Sequence, residues 1–192
     1  MSGQKADLKL RLLELSEKIV DLSDRLSEAE SLGETGKSYR LTGDLKEVGS
    51  QVEDLLTQAR DDDRTFALFM LGSVYAMTGY IARAEEKYRQ ALSSWPDHVG
   101  LLNELFDVLV LQEKYAEAEN ILESIIQFGG ETPLVLRNKA GLFAKMGKEE
   151  EAAQTLAYSR SLFPEDTQTL EVLENRHVCH CGKNKREGNS NK

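Results

Sequence analysis

Apolar residues along this chain recur at intervals of three and four positions, the spacing that places side chains on one face of an α-helix. In residues 65–98 two such runs flank Gly79, and Pro96 closes the second run. Glycine commonly ends a helix in the left-handed conformation, and proline cannot continue one. The pattern therefore predicts two helices joined by a tight turn. The apolar positions of the pair are Leu68, Leu71, Tyr75, Ala84, Tyr88, Ala91 and Leu92.

The same pattern returns twice more at a spacing of 34 residues, in residues 99–132 and 133–166. A fixed period of this length indicates supersecondary units that stack and bury one continuous core. We therefore expect an all-α solenoid, in which the small residues Gly72 and Ala84 lie where the paired helices approach closely. The recurring apolar positions are Leu102, Leu105, Leu109, Ala118 and Leu122, then Leu136, Phe143, Ala152 and Leu156.

Residues 29–62 match the period more weakly, with Gly36 and Gly43 in the positions of Gly72 and Gly79. We interpret this stretch as a degenerate fourth repeat, another helix pair, joined to the next repeat by a two-residue insertion. Its matching larger positions are Leu32, Tyr39, Val48, Val52 and Leu55.

Residues 1–28 carry apolar residues at alternating intervals of four and three, which is a heptad seam. The seam consists of Leu8, Leu12, Leu15, Ile19, Leu22 and Leu26. Such a helix either pairs with a second copy to give a homo-oligomer or lies against the chain's own repeats. The seam is short for an autonomous coiled coil, which favours packing on the repeats.

Beyond the third repeat, residues 167–181 are expected to hold a capping helix and a Cys/His motif, since a repeat array needs a polar cap over its last apolar face. Residues 182–192 are polar or glycine throughout and are expected to be disordered.

The spacing Leu68-x₂-Leu71-Gly72-x₂-Tyr75, followed by Ala84-x₃-Tyr88, resembles the tetratricopeptide repeat (TPR) family. The resemblance implies a helical solenoid whose first helices line a concave groove through positions 2, 5, 9, 12 and 13 of each repeat. The corresponding residues here are Phe66, Phe69, Ser73, Ala76 and Met77; Gly100, Asn103, Asp107, Val110 and Leu111; and Leu134, Arg137, Gly141, Ala144 and Lys145.

The resemblance implies a non-catalytic adaptor or chaperone that binds a peptide or helix of another protein in this groove. The groove would grade from apolar at Phe66 and Phe69 to cationic at Arg137 and Lys145. Either a partner or the chain's own N-terminal helix must cover the apolar end, because exposed apolar patches favour aggregation. A self-assembling structural protein is the main alternative.

Two narrower uses of the fold can be compared residue by residue. Some TPR co-chaperones grip a carboxylate with Lys and Asn, but Phe69, Ser73, Glu104, Leu134 and Asn138 occupy the corresponding positions, so we expect no such clamp. The layout also resembles bacterial type III secretion chaperones, which are small, acidic, cytosolic and built of three TPRs.

Composition and charge also limit the kinds of partner and the location that we expect for the chain. The chain has a formal net charge of −9 and a pI near 5.0, whereas nucleic-acid binding needs a basic surface. We expect no membrane span, because no apolar run approaches the required length of about 20 residues. The sequence shows no secretory leader, and its two cysteines lie in one short motif, which favours a cytoplasmic, reducing location.

The candidate chemistry lies in the C-terminal motif of His177, Cys179, His180 and Cys181, which are zinc-ligand types. Cys179-x-Cys181-Gly182 resembles the first half of the SEC-C zinc motif, but the second pair of ligands of that family does not follow. A metal-dependent protein acting through this tail is thus a further alternative, and the rival interpretation is a tail that only scavenges metal. No other cofactor is expected.

Two catalytic or nucleotide-binding interpretations are disfavoured. The run Gly33–Ser38 lacks the first glycine of a phosphate-binding loop, because Ser31 stands there, and no strand pattern precedes it. The Ser, His and acidic residues form no catalytic set, so we do not expect an enzyme.

Overall fold

The structure is a computed structural model that describes residues 2–167, with side chains from Lys5 onward. Within that range the chain forms eight α-helices and no strand, which confirms the all-α prediction. The predicted cap, Cys/His motif and polar tail lie outside the described residues. The helices are α1 Ser2–Ser31, α2 Thr35–Leu56, α3 Asp61–Met77, α4 Ile81–Leu92, α5 Val99–Leu111, α6 Tyr115–Gly129, α7 Pro133–Lys145 and α8 Glu149–Leu162.

The helices belong to two compact units, residues 1–124 and residues 125–192, and the boundary falls within α6. In the first unit α1 packs on α2, α2 on α3, α3 on α4 and α4 on α5, while α1 also reaches α3. In the second unit α7 packs on α8. The α7 helix begins as the sequence predicts, with the Thr132 hydroxyl accepting from the Val135 amide at 3.3 Å.

The 34-residue period is visible in the backbone of three turns. Gly79, Glu113 and Gly147 each follow the first helix of a pair with a positive φ, of 81°, 58° and 75°. Glycine adopts this conformation without strain, whereas other L-residues incur a cost of about 1–2 kcal/mol. Glu113 is therefore the strained member of the series.

The expected close approach at Gly72 is present. A Cβ atom at Gly72 would lie 2.3 Å from Cε1 of Tyr88, whose side chain is fully buried. The absence of a side chain on α3 thus makes room for the tyrosine ring of α4. Larger residues at this position would separate the two helices.

The prediction of a helix pair in residues 29–62 is wrong. The α1 helix continues to Ser31, and α2 then runs without a break through Gly43. One continuous apolar stripe on α2 outweighs the helix penalty of about 1 kcal/mol for that glycine. The hairpin before α3 is therefore α1 with α2, turning at Gly33 with φ 69°. The buried stripe consists of Leu41, Leu45, Val48, Val52 and Leu55.

The heptad seam of α1 lies in the core of the first unit. Leu12, Ile19, Leu22 and Leu26 are buried in one cluster with residues of α2 and α3. The seam therefore packs on the chain itself, as the favoured interpretation expects. A second copy could use it only by displacing these contacts.

A partly buried ion-pair network centred on Glu85 ties α4 to the turn before α6. Glu85 Oε2 accepts from Lys114 Nζ and Gln112 Nε2, both at 2.7 Å, and Oε1 accepts from Arg89 Nε at 2.9 Å. Desolvation alone would raise the pKa of Glu85, but the hydrogen bonds from Lys114, Arg89 and Gln112 prevail and lower the pKa to about 2.

Candidate binding groove

A cavity of about 330 Å³ lies between α1, α3 and α5 in the first unit. We call it the α1–α3 groove. It contains five of the groove residues predicted from the sequence, Phe66, Phe69, Ser73, Ala76 and Met77. The remaining lining residues are Ser16, Ile19, Val20, Ser23, Asp24, Met70 and Glu104.

The α1 helix forms one wall of this groove. Its seam faces the core, and the flank beside the seam presents Ser16, Val20 and Ser23 to the cavity, at spacings of four and three residues. Val20 keeps 58% of its surface exposed. The N-terminal helix therefore leaves the apolar end of the groove open along this flank.

The α3 helix forms the opposite wall. Phe66 and Met77 are half-buried and pack against the core that α1, α2 and α3 share. Phe69 is half-buried as well, with its ring centroid 6.2 Å from those of Tyr88 and His98. These three side chains are thus held by the fold while they face the cavity.

A hydrogen-bonded cluster lies at the α5 side of the groove. The Tyr88 hydroxyl donates to Glu104 Oε2 at 3.0 Å and lies 3.3 Å from Ser73 Oγ. Burial, and then the Glu104 carboxylate, raise the pKa of Tyr88, so the hydroxyl stays protonated as a donor. The sequence analysis named Glu104 only as a position where the carboxylate clamp is missing, and not as a binding residue. The sequence feature that indicates a polar partner here is Tyr88, which stands where the repeat pattern has phenylalanine, because a buried tyrosine hydroxyl needs a hydrogen-bond partner.

The predicted α5 residues differ in their surroundings. Asn103 Nδ2 donates to the Val99 carbonyl at 2.9 Å, while its Oδ1 is buried and has no hydrogen-bond partner among the described residues. Asp107 is an exposed residue, but partial desolvation of its carboxyl raises its pKa, and the negative charge of Glu104 raises it further. Val110 is half-buried and Leu111 is exposed.

A second cavity, of about 220 Å³, adjoins the groove at Phe66. Trp95 lines it and donates from Nε1 to Asp62 Oδ1 at 3.1 Å. The sequence pattern did not predict this cavity, because residues from α1, α3 and the loop after α4 meet there only in the folded chain. Its other lining residues are Lys9, Leu12, Leu13 and Asp63.

Arg137 and Lys145, the predicted cationic end of the groove, belong to the second unit, as do the predicted groove residues Leu134, Gly141 and Ala144. Arg137 Nη1 bonds to Asp166 Oδ2 at 2.5 Å, so its charge is balanced within that unit. Lys145 is exposed in the last turn of α7. The cationic end of the groove that the sequence places at these two residues stays a prediction.

The described residues hold few features typical of cofactor chemistry. Between residues 2 and 167, no group of three or more His, Cys, Asp or Glu side chains is arranged to hold a metal ion. His177, Cys179, His180 and Cys181 lie outside this range. His98 is used structurally, since its Nδ1 accepts from the Leu101 amide at 3.1 Å and caps α5. None of the helices described here has the length and apolar character to span a bilayer.

Solved structures of similar fold include a protein described as a tetratricopeptide-repeat protein, a pilus biogenesis factor and MamA. PilW, a type IV pilus biogenesis factor, is 15% identical with a TM-score of 0.63, over 90% of this chain and 93% of PilW. A MamA RS-1 double mutant is 16% identical with a TM-score of 0.61, over 86% of both chains. A TPR protein from Parabacteroides merdae ATCC 43184 is 22% identical with a TM-score of 0.61, over 84% of this chain and 70% of that one.

These likenesses show that the chain has the tetratricopeptide-repeat fold, as the repeat spacing predicts. No family model and no curated protein sequence matches the chain.

Proposed function

We propose that the chain is a non-catalytic protein-interaction scaffold, an adaptor or chaperone, that binds an amphipathic segment of a partner protein in the α1–α3 groove. The observation that carries this proposal is the groove itself, which presents an exposed apolar side chain of α1 and half-buried apolar side chains of α3, two helices fixed by a shared core. Burying such side chains against a partner is favourable by about 25 cal/mol per Å² of apolar area.

The groove chemistry suits a peptide better than a phosphorylated small molecule. Its lining contains no Lys, Arg or His side chain, the groups that usually hold phosphate. Its backbone amides lie within α1, α3 and α5, where helix hydrogen bonds occupy them. Apolar contact and a few polar side chains therefore remain as the means of recognition, as in a helix-in-groove complex.

The test substitutes a groove residue that the fold does not need. Val20→Lys places a charge on an exposed position of α1, whereas changing Phe69 or Met77 would also disturb the core. Leu32→Lys is the matched control, because Leu32 is 65% exposed and lies in the turn after α1, away from the groove lining.

Both variants and the wild type are used to capture partners from a lysate of the host cells, with mass spectrometry as the readout. We expect Val20→Lys to lose partners that Leu32→Lys retains, with equal melting temperatures. If the two variants capture the same set as the wild type, the groove is not the binding surface.

A further inference from the structure

We infer that the segment bound in the α1–α3 groove is basic as well as apolar, with a Lys or Arg side chain that pairs with the carboxylates of Glu104 and its neighbours. This inference rests on the proposed function and adds to it the chemical class of the partner.

The first observation is the sign of the charges around the groove. The charged side chains among its lining residues are Asp24 and Glu104, and both are acidic. The adjoining cavity adds Asp62 and Asp63 against the single base Lys9. A partner segment that enters the groove therefore meets apolar walls within a negative rim, and charge complementarity favours a cation.

The second observation is that the groove carboxylates lack a cation of their own. Within residues 2–167, the lining carboxylates Asp24 and Glu104 form no ion pair, and neither does Asp107, three residues after Glu104 on α5, whereas the buried Glu85 is paired with Arg89 and Lys114. The fold thus satisfies a comparable carboxylate elsewhere. It leaves the groove carboxylates available to a partner.

The third observation is that Glu104 is held in place. Its Oε2 accepts from the hydroxyl of Tyr88, and the Tyr88 ring is locked under Gly72. A carboxylate fixed in this way binds a cation with little ordering cost, since the acceptor is already positioned. Arg and Lys provide up to five and three donors respectively.

The test is a selection from a displayed library of random 16-residue peptides. It compares the wild type with a charge variant, Glu104→Gln with Asp107→Asn, in which residue 104 still accepts from Tyr88. The matched control, Glu47→Gln with Asp54→Asn, removes the same charge from exposed positions of α2, outside the groove lining. Val20→Lys blocks the groove itself.

We expect wild type and control to select peptides that combine apolar residues with Lys or Arg. The charge variant should lose the basic preference and bind a selected basic peptide about 5- to 30-fold more weakly, the effect of one or two charge-assisted hydrogen bonds. Added salt should weaken wild-type binding more than binding by the charge variant.

Two results would overturn the inference, and they differ in what they imply for the proposed function. Apolar peptides without basic enrichment, lost in Val20→Lys, would show that the groove binds but that its acids do not select the partner. If Val20→Lys retains the selected peptides, or if no peptides are selected at all, the groove is not the binding surface. Both the proposed function and the inference are then wrong.

Discussion

Removing the charge of Glu85 should destabilise the first unit in a pH-dependent manner. The carboxylate joins α4 to the turn that precedes α6 through hydrogen bonds from Arg89, Gln112 and Lys114. Glu85→Gln keeps the shape of the side chain and abolishes its titration. The variant therefore isolates the contribution of the charge.

The size of the effect follows from the shift in the pKa of Glu85, from 4.5 to about 2. Each pKa unit corresponds to about 1.4 kcal/mol, which sets an upper limit of about 3 kcal/mol. The Glu85 side chain is only 12% exposed, but its partner Lys114 is 39% exposed, and solvent screening there reduces the expected value to about 2 kcal/mol.

The sign is fixed by the direction of the shift. Because the pKa of Glu85 is lower in the folded state, its stabilisation is fully present above pH 4.5 and is lost as the pH falls toward 2. Urea unfolding of wild type and Glu85→Gln should thus differ by about 2 kcal/mol at pH 7. The difference should stay constant down to about pH 4.5 and shrink as the pH falls from there toward 2.

Glu123→Gln serves as the control, since Glu123 is exposed on α6 in the same unit. It should change the free energy of unfolding by less than about 0.5 kcal/mol at any pH. A difference between wild type and Glu85→Gln that is constant with pH, or no larger than that of the control, would refute the reasoning.

Three further predictions concern the repeats and the N-terminal helix. Gly72→Ala should lower the free energy of unfolding, measured by urea titration, by about 1–3 kcal/mol, because the added methyl group clashes with the buried Tyr88 ring. The control Gly141→Ala has open space around it in α7 and should be neutral or stabilising in the same titration. Glu113→Gly should raise that free energy by up to about 1 kcal/mol by relieving the positive φ, and a loss of stability would contradict the assigned backbone conformation. Leu22→Ala, in the buried seam of α1, should cost about 2–5 kcal/mol, independently of protein concentration, since a concentration-dependent loss would indicate that the seam pairs two chains.

The sequence predicted the repeating part of the fold well, for an identifiable reason. A period of 34 residues fixes where the first helix of a pair must end, and Gly79 and Gly147 end theirs in the left-handed conformation. The same logic failed at Gly43, which matches the pattern but stays helical. There the apolar stripe of α2 continues on both sides, and its burial decides the conformation.

The groove was predicted in part. Positions on α3 could be carried over from the repeat pattern, because a single helix fixes which of its residues share a face. The wall formed by α1 could not, since the heptad seam shows which face is buried but not which flank borders α3. The role of Glu104 depends on Tyr88 reaching across from α4, a contact that exists only once the helices are packed.

Site-specific photocrosslinking in host cells tests most directly whether the α1–α3 groove binds a partner. A photoreactive residue replaces Ser23, which lines the groove on α1, or Asp54, an exposed position on α2 that does not line it. We predict a discrete protein adduct from position 23 that Val20→Lys abolishes, and none of the same mass from position 54. An adduct from position 54 alone, or one from position 23 that survives Val20→Lys, would contradict the groove as the site of binding.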